Sequence, residues 1–397
     1  MHIAVVSLGA FGHINPTLSV VTELVRRGVR VTYFTTENFR SIVEPTGADF
    51  VPVKSWMEGN DKHNEDKKDD QPEENVAAVV PFLFLNEAGS YIDDILASLE
   101  KDKPDAIMHD FAGIAGTMAA DVLKVPNIMI YTSYPSNESY SVAESFESTP
   151  ADHPLRIAAA QIAQSYAEKY GCRNMTVKEI FDGQGDLNLV MMQKRLVPNN
   201  ESFGDNFVFT GVQIGKRTAF GSWKAPNNGK PLLYSSLGTA FNNWPEYYPI
   251  LFDAVRDLDI NVFAALGAID PASLKDIPAN VEVAQMVPQL DILSQASVFI
   301  THAGMGGTGE AIYYGVPMIA IPQMDEQAIT ARQIEKTGLG VAFLDKSTIT
   351  SEKLKAAIVK LLEDSSYKNT ADNFSADMKS LGGFKASADA IMQFLKK

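Results

Sequence analysis

The chain has 397 residues, of which 45% are hydrophobic and 21% charged, and 34 basic against 49 acidic residues give a formal net charge of −15. That length favours two domains over a single core, and the charge disfavours nucleic acid and anionic membrane surfaces as partners. No apolar run approaches the roughly 20 residues of a membrane span, and one cysteine, Cys172, cannot form an intrachain disulfide, so the expectation is a cytoplasmic protein.

The first segment, HIAVVSL, reads as a buried strand rather than a leader. The turn GAFGHINP follows, and then a helix from about Thr17 to Arg27 with Leu18, Val21, Leu24 and Val25 on one face and Gly28 as its stop. The unit restarts with a strand at Arg30 to Thr35. Further strands are expected at Ala106 to Met108 and Asn127 to Tyr131, with helices near Val76 to Leu99 and Gly113 to Leu123. Such alternation predicts a parallel sheet covered on both faces.

Between these elements, EGNDKHNEDKKDDQPEE at 58–74 has no apolar period and reads as a mobile surface loop, solvated or flanking an acceptor cleft. A linker is expected at 215–230, separating an N-terminal domain (1–214) from a C-terminal one (231–380) and a final helical segment (381–397). After the linker the pattern begins again: PLLYSSL is a strand, and SLGTAF at Ser236 to Phe241 echoes SLGAF at Ser7 to Phe11. Strands follow near Asn261 to Ala265, Val281 to Ala284, Val298 to Thr301 and Met318 to Ile321, and a closing helix runs from about Ala386 to Lys397. The fold class is therefore α/β, two Rossmann-like halves in tandem.

His13 lies in the turn after the first strand, where doubly wound folds place reactive groups, and imidazole suits proton abstraction at neutral pH. Asp110, ending PDAIMHDF, occupies the matching place on a neighbouring strand and could fix the tautomer of that imidazole. His109 should point to the opposite side. In the second half, THAGMGGTGEAIYYG sets His302, Gly304, Gly306, Gly307 and Gly309 in the turn between a strand and the helix that Glu310 begins. Backbone amides there could approach a diphosphate. The same glycines spell G-x-G-x-x-G, with Asp325 near the spacing of a ribose-binding acid, so a dinucleotide remains a competing ligand. No zinc spacing and no nucleophile elbow is present.

The run VPQLDILSQASVFITHAGMGGTGEAIYYGVPMIAIPQMDEQ, together with GHINP, resembles the UDP-glycosyltransferase family, in particular its bacterial macrolide-glycosyltransferase-like group. The resemblance extends over nearly the whole chain in order and spacing. It implies a GT-B fold, with a cleft between the two domains and the C-terminal helix packing back on the first. It also implies His13 as general base, Asp110 as its orienter, Gln289 near the nucleobase, His302 on the diphosphate and Glu310 on the ribose. Ser236 and Thr239 resemble further diphosphate contacts, the glycines and Thr308 belong to the same donor signature, and Glu326 and Gln327 would hold donor-sugar hydroxyls. Where many members carry asparagine and serine this chain has Gly306 and Gly307, and Met305 replaces the tryptophan of that turn.

The implied activity is inverting transfer of a sugar, glucose from UDP-glucose by default, to a hydroxyl of a hydrophobic acceptor such as a flavonoid or macrolide, with no cofactor and no obligatory metal. Phe11, Phe82, Phe84, Phe111 and Ser133 are candidates for the acceptor side. A nicotinamide oxidoreductase using Gly304, Gly306 and Gly309, and a non-catalytic nucleotide-sugar-binding protein, are the competing readings.

Overall fold

The computed structural model describes residues 1–59, 76–144, 149–215, 221–238 and 244–396. The chain divides into two compact units, Met1–Gly215 with Gly382–Lys397, and Lys216–Leu381. Most of the charged run at 58–74 and part of the expected linker fall outside the described residues.

In the first unit, seven strands form one parallel sheet. They are β1 (His2–Val6), β2 (Arg30–Thr36), β3 (Asp49–Val53), β4 (Ala106–Asp110), β5 (Asn127–Tyr131), β6 (Leu187–Val190) and β7 (Phe207–Phe209), in the spatial order β3-β2-β1-β4-β5-β6-β7. Period-two alternation divides their side chains between two faces. Ala4, Val6 and Ile107 join a core with Leu85, Ile92 and Ile95 of the helix Val76–Lys101 and Met118 of the helix Ile114–Leu123. Ile3, Val5, Ala106 and Met108 face the opposite core, with Val20, Val21 and Leu24 of the helix Phe11–Arg26. Burial on both faces is why these strands read as continuous apolar runs.

The helix Gly383–Phe394 completes that second face, contributing Ala388 and Ile391. Its start is tied to the first unit, because Gly383 N–H donates to the Thr210 carbonyl at 2.8 Å and Ser387 Oγ to Thr210 Oγ1 at 3.0 Å. Arg27, just past the Phe11–Arg26 helix, pairs with Asp389.

The second unit repeats the scheme with β8 (Leu232–Ser236), β9 (Asn261–Ala265), β10 (Val281–Ala284), β11 (Val298–Thr301), β12 (Met318–Ala320) and β13 (Gly340–Ala342), all parallel in the order β10-β9-β8-β11-β12-β13. Leu233, Val262, Ala264, Val298 and Ile300 form its core with Leu251 of the helix Tyr247–Val255 and Leu354 and Ile358 of the helix Ser351–Glu363.

Each sheet starts in its middle. β1 lies between β2 and β4, and β8 between β9 and β11, so strand order reverses at those two junctions. Ligands of open α/β sheets bind outside the carboxyl ends of the strands at such switch points. The register brings Val6 beside His109 at the first junction and Ser236 beside Thr301 at the second.

Two expected turns prove to be helix starts. The first helix begins at Phe11, with Ile14 N–H already donating to the Ala10 carbonyl at 3.0 Å, so His13 sits in a first helical turn ahead of Pro16. Pro16 is the sixth residue of this helix and lacks the N–H that would bond the Gly12 carbonyl, so the helix runs through a residue that by propensity marks a boundary. Likewise the second-unit helix runs Met305–Tyr314 with Gly304 as its N-cap, placing Gly306, Gly307 and Gly309 inside it.

Candidate active site

At the first junction, His13 Nδ1 donates to Asp110 Oδ2. Asp110 is nearly sealed, with 3% of its side chain exposed against 18% for His13. Its other oxygen accepts from Ala112 N–H at 3.0 Å and Gly113 N–H at 3.1 Å. Burial alone would raise the pKa of this carboxyl, but the His13 charge and hydrogen bond, His109 and the Gly113 amide outweigh it and hold it below the ordinary value. An ionised Asp110 fixes the Nδ1–H tautomer of His13, which leaves the basic lone pair on Nε2. The pairing expected from strand ends is thus present.

His109 turns the other way, as alternation requires. Its Nδ1–H donates to the Asp110 carbonyl at 2.8 Å, while Nε2 meets Asn127 at 2.7 Å and Thr117 Oγ1 at 3.2 Å. Burial lowers its pKa, so it serves as a neutral prop behind the turn that carries Asp110. The helix Ile114–Leu123 makes room for this ring with Gly116, where a Cβ would come within 2.7 to 2.8 Å of His109 Cγ, Cβ and Cδ2. Because His109 is pinned on both ring nitrogens, it cannot give way cheaply. Gly116→Ala is therefore expected to cost about 1–3 kcal/mol in denaturant unfolding, and wild-type stability would show that the ring can move.

Phe111 lies against the His13 ring with centroids 5.7 Å apart, and Phe84 in turn lies 6.0 Å from Phe111. Phe82, Phe84 and Phe111 are partly buried on the first core. Phe82 edges onto Trp56, Phe11 packs on Phe39, and Ser133 is half-buried in the loop after β5. Among the candidate aromatics, Phe111 touches the imidazole.

At the second junction, Thr308 N–H makes the first bond of the Met305–Tyr314 helix, to the Gly304 carbonyl at 3.0 Å. The amides of Met305, Gly306 and Gly307 thus form its partially positive end. Nothing lies within 4 Å of where a Gly306 Cβ would be. His302 precedes this end, held by Ala303 in the left-handed region at φ 62°, a conformation costly for alanine. The His302 ring sits between Gly238 and Gly304. Its Nδ1 and the Thr308 hydroxyl are buried without a partner among the described residues. Burial pushes the His302 pKa down to about 4, against a smaller opposing pull from the Ser236 main chain, so the ring is neutral at pH 7 and acts as an N–H donor rather than a cation.

A depressed histidine pKa stabilises the fold above the ordinary 6.5 and loses that contribution as pH falls towards 4. Melting temperature should therefore fall more steeply between pH 7 and pH 4 in the wild type than in His302→Gln. Equal slopes would contradict the buried neutral ring.

Glu310 is buried and accepts from Gln289 Nε2 at 2.6 Å, and Gln289 Oε1 accepts from the Tyr234 hydroxyl at 3.0 Å. Tyr234 had no place in the motif reading; strand alternation alone could have put it on the face of β8 shared with Ser236. Gln327 Oε1 accepts from Gln323 N–H at 2.8 Å, and Glu326 is exposed at the start of the helix Asp325–Lys336. Thr239 and the Asp325 side chain lie outside the described residues.

Residues 249–383 match the family described as erythromycin biosynthesis protein CIII-like, C-terminal domain. The NDP-glycosyltransferase YjiC of Bacillus subtilis (strain 168) is 36% identical over 100% of this chain and 98% of its own length. The chain belongs to the NDP-glycosyltransferases. Oleandomycin glycosyltransferase of Streptomyces antibioticus is 30% identical, covering 98% of this chain and 90% of that protein. Among solved structures, the calicheamicin glycosyltransferase CalG4 superimposes with a TM-score of 0.85 at 29% identity, covering 100% of this chain and 98% of that one. The fold is GT-B, and the enzyme is a glycosyltransferase of the natural-product type. Family membership removes the nicotinamide reading of Gly304, Gly306 and Gly309: the glycine fingerprint here opens the helix of a sugar-nucleotide enzyme.

Proposed function

We propose that this glycosyltransferase moves a sugar, with UDP-glucose as the default donor, to a hydroxyl of a hydrophobic small molecule and inverts the anomeric carbon. The observation that carries the reading is the His13–Asp110 pair at the first switch point. An acceptor hydroxyl would lose its proton to His13 Nε2 as its oxygen bonds to the anomeric carbon. The bond from that carbon to the diphosphate breaks, and its electron pair leaves on the nucleotide. Asp110 stabilises the imidazolium so formed.

On the donor side, the amides of Met305, Gly306 and Gly307 and the neutral His302 are suited to the charge that gathers on the departing diphosphate, with Ser236 and Thr239 as further contacts. Preorganised dipoles of this kind need no metal. Gln289 would lie near the nucleobase, Glu310 would accept from ribose hydroxyls, and Glu326 and Gln327 would hold the donor sugar. The bond from Gln323 N–H to Gln327 Oε1 supports this by directing the Gln327 amide nitrogen elsewhere as a donor.

Asp110→Asn should lower kcat by roughly 10²-fold or more, because an amide facing Nδ1 favours the tautomer whose Nε2 already carries a proton. Wild-type kcat in that variant would remove Asp110 from the mechanism. For the acceptor, Phe11, Phe82, Phe84, Phe111 and Ser133 are the proposed lining, and relatives are named for oleandomycin, demethyllactenocin and calicheamicin. A panel of flavonoids, macrolides and simple sugars incubated with UDP-glucose and read by mass spectrometry tests this. Glycosylated flavonoids or macrolides are expected, and product from simple sugars alone would contradict a hydrophobic acceptor.

A further inference from the structure

Three side chains in the second unit form one directed chain of hydrogen bonds. Tyr234, on β8, is fully buried and stacks on Phe299, its register partner on β11, with ring centroids 4.9 Å apart and planes within 7°. Its hydroxyl meets Gln289 at 3.0 Å, and Gln289 meets Glu310 at 2.6 Å. Chemistry fixes the direction. The glutamine atom facing Glu310 is Nε2, which only donates, and Oε1 faces the phenol and only accepts, so the phenol must donate. Burial raises the Tyr234 pKa, with a smaller contribution from the Glu310 charge and a partial offset from Ser236, so the hydroxyl keeps its proton.

We propose that Tyr234 is a positioning residue for ribose recognition: its phenol sets the Gln289 amide, and the amide sets the plane of the Glu310 carboxylate that takes the ribose hydroxyls. The inference rests on the ribose role proposed for Glu310. Glu310 sits on the Met305–Tyr314 helix and Gln289 on the helix Gln289–Leu293, so neither element alone orients the carboxylate. The stacked Tyr234–Phe299 pair, at the middle of the sheet, gives the chain a rigid origin.

The test is isothermal titration of the intact chain with UDP and with 2′-deoxy-UDP, for the wild type, Tyr234→Phe, Gln289→Leu and Glu310→Gln. Tyr234→Phe keeps the stacked ring and removes the hydroxyl, with its bond to Gln289 and its contact with the Ser236 side chain. The wild type should prefer UDP, Glu310→Gln should lose that preference, and Tyr234→Phe and Gln289→Leu should each reduce it by about fivefold or more. A merely structural tyrosine would weaken both nucleotides alike and leave their ratio unchanged. Should Tyr234→Phe fail to fold, Gln289→Leu carries the same test. Wild-type ratios in Tyr234→Phe and Gln289→Leu, with the ratio lost in Glu310→Gln, overturn the relay and spare the ribose role. An unchanged ratio in Glu310→Gln overturns the ribose role and the relay with it.

Discussion

Replacing His13 with alanine is expected to reduce sugar transfer by about 10²–10⁴-fold, the range removed with a general base, while UDP binding keeps its wild-type affinity. The separation follows from the fold. His13 belongs to the first unit, whereas the His302, Gln289 and Glu310 constellation belongs wholly to the second. The substitution also strips one partner from the buried Asp110, whose Oδ2 accepts from His13 while Oδ1 keeps the Ala112 and Gly113 amides. Some thermal stability is therefore lost as well, and rates must be compared below the melting temperature of the variant. Turnover near the wild-type value, or loss of UDP binding, would remove His13 from the role of base.

The second large effect is expected at Gly304. A Cβ there would lie 2.3 Å from His302 Nε2 and 3.1 Å from Cδ2 and Cε1. On its other side the ring lies beside Gly238, where a Cβ would come to 3.0 Å from Cε1 and Nε2, so the ring can move off Gly304 only by crowding that backbone. The backbone of Gly304, at φ −65° and ψ 141°, suits alanine, so any effect comes from the collision and not from strain. Gly304→Ala should thus displace the imidazole and weaken UDP binding by about tenfold or more, equivalent to roughly 1.4 kcal/mol, with a parallel rise in donor KM. Unchanged UDP affinity in a folded Gly304→Ala protein would show that the ring has no part in holding the diphosphate.

Much of this was legible in the sequence because parallel strands buried on both faces are short unbroken apolar runs. Asn127–Tyr131, Asn261–Ala265, Val281–Ala284 and Val298–Thr301 have the bounds expected of them. The shorter and later strands β6, β7 and β13 carry weaker runs and were not anticipated. Helix starts were misjudged for a shared reason: Pro16 and the glycines at 306, 307 and 309 are breakers by propensity, yet both helices begin ahead of them. Gly306 and Gly307 lie in the first turn, where backbone N–H groups have no intrahelical partner and a missing side chain leaves them accessible, whereas Pro16 stands at the sixth position and the first helix continues through it. The His13–Asp110 contact was foreseeable from two strand ends, since β1 and β4 turned out to be neighbours. What no spacing could reveal was support at right angles to the motifs: His109 accommodated by Gly116, and Tyr234 reaching Gln289 across 55 positions of sequence.

The most direct test of the whole account is the configuration of the product. Incubation with UDP-α-glucose and a hydroxylated aromatic or macrolide acceptor, followed by NMR of the anomeric proton, should show a β-glycoside formed with release of UDP. An α-glycoside, or release of free glucose without any glycosylated acceptor, would contradict single displacement by a hydroxyl that His13 deprotonates.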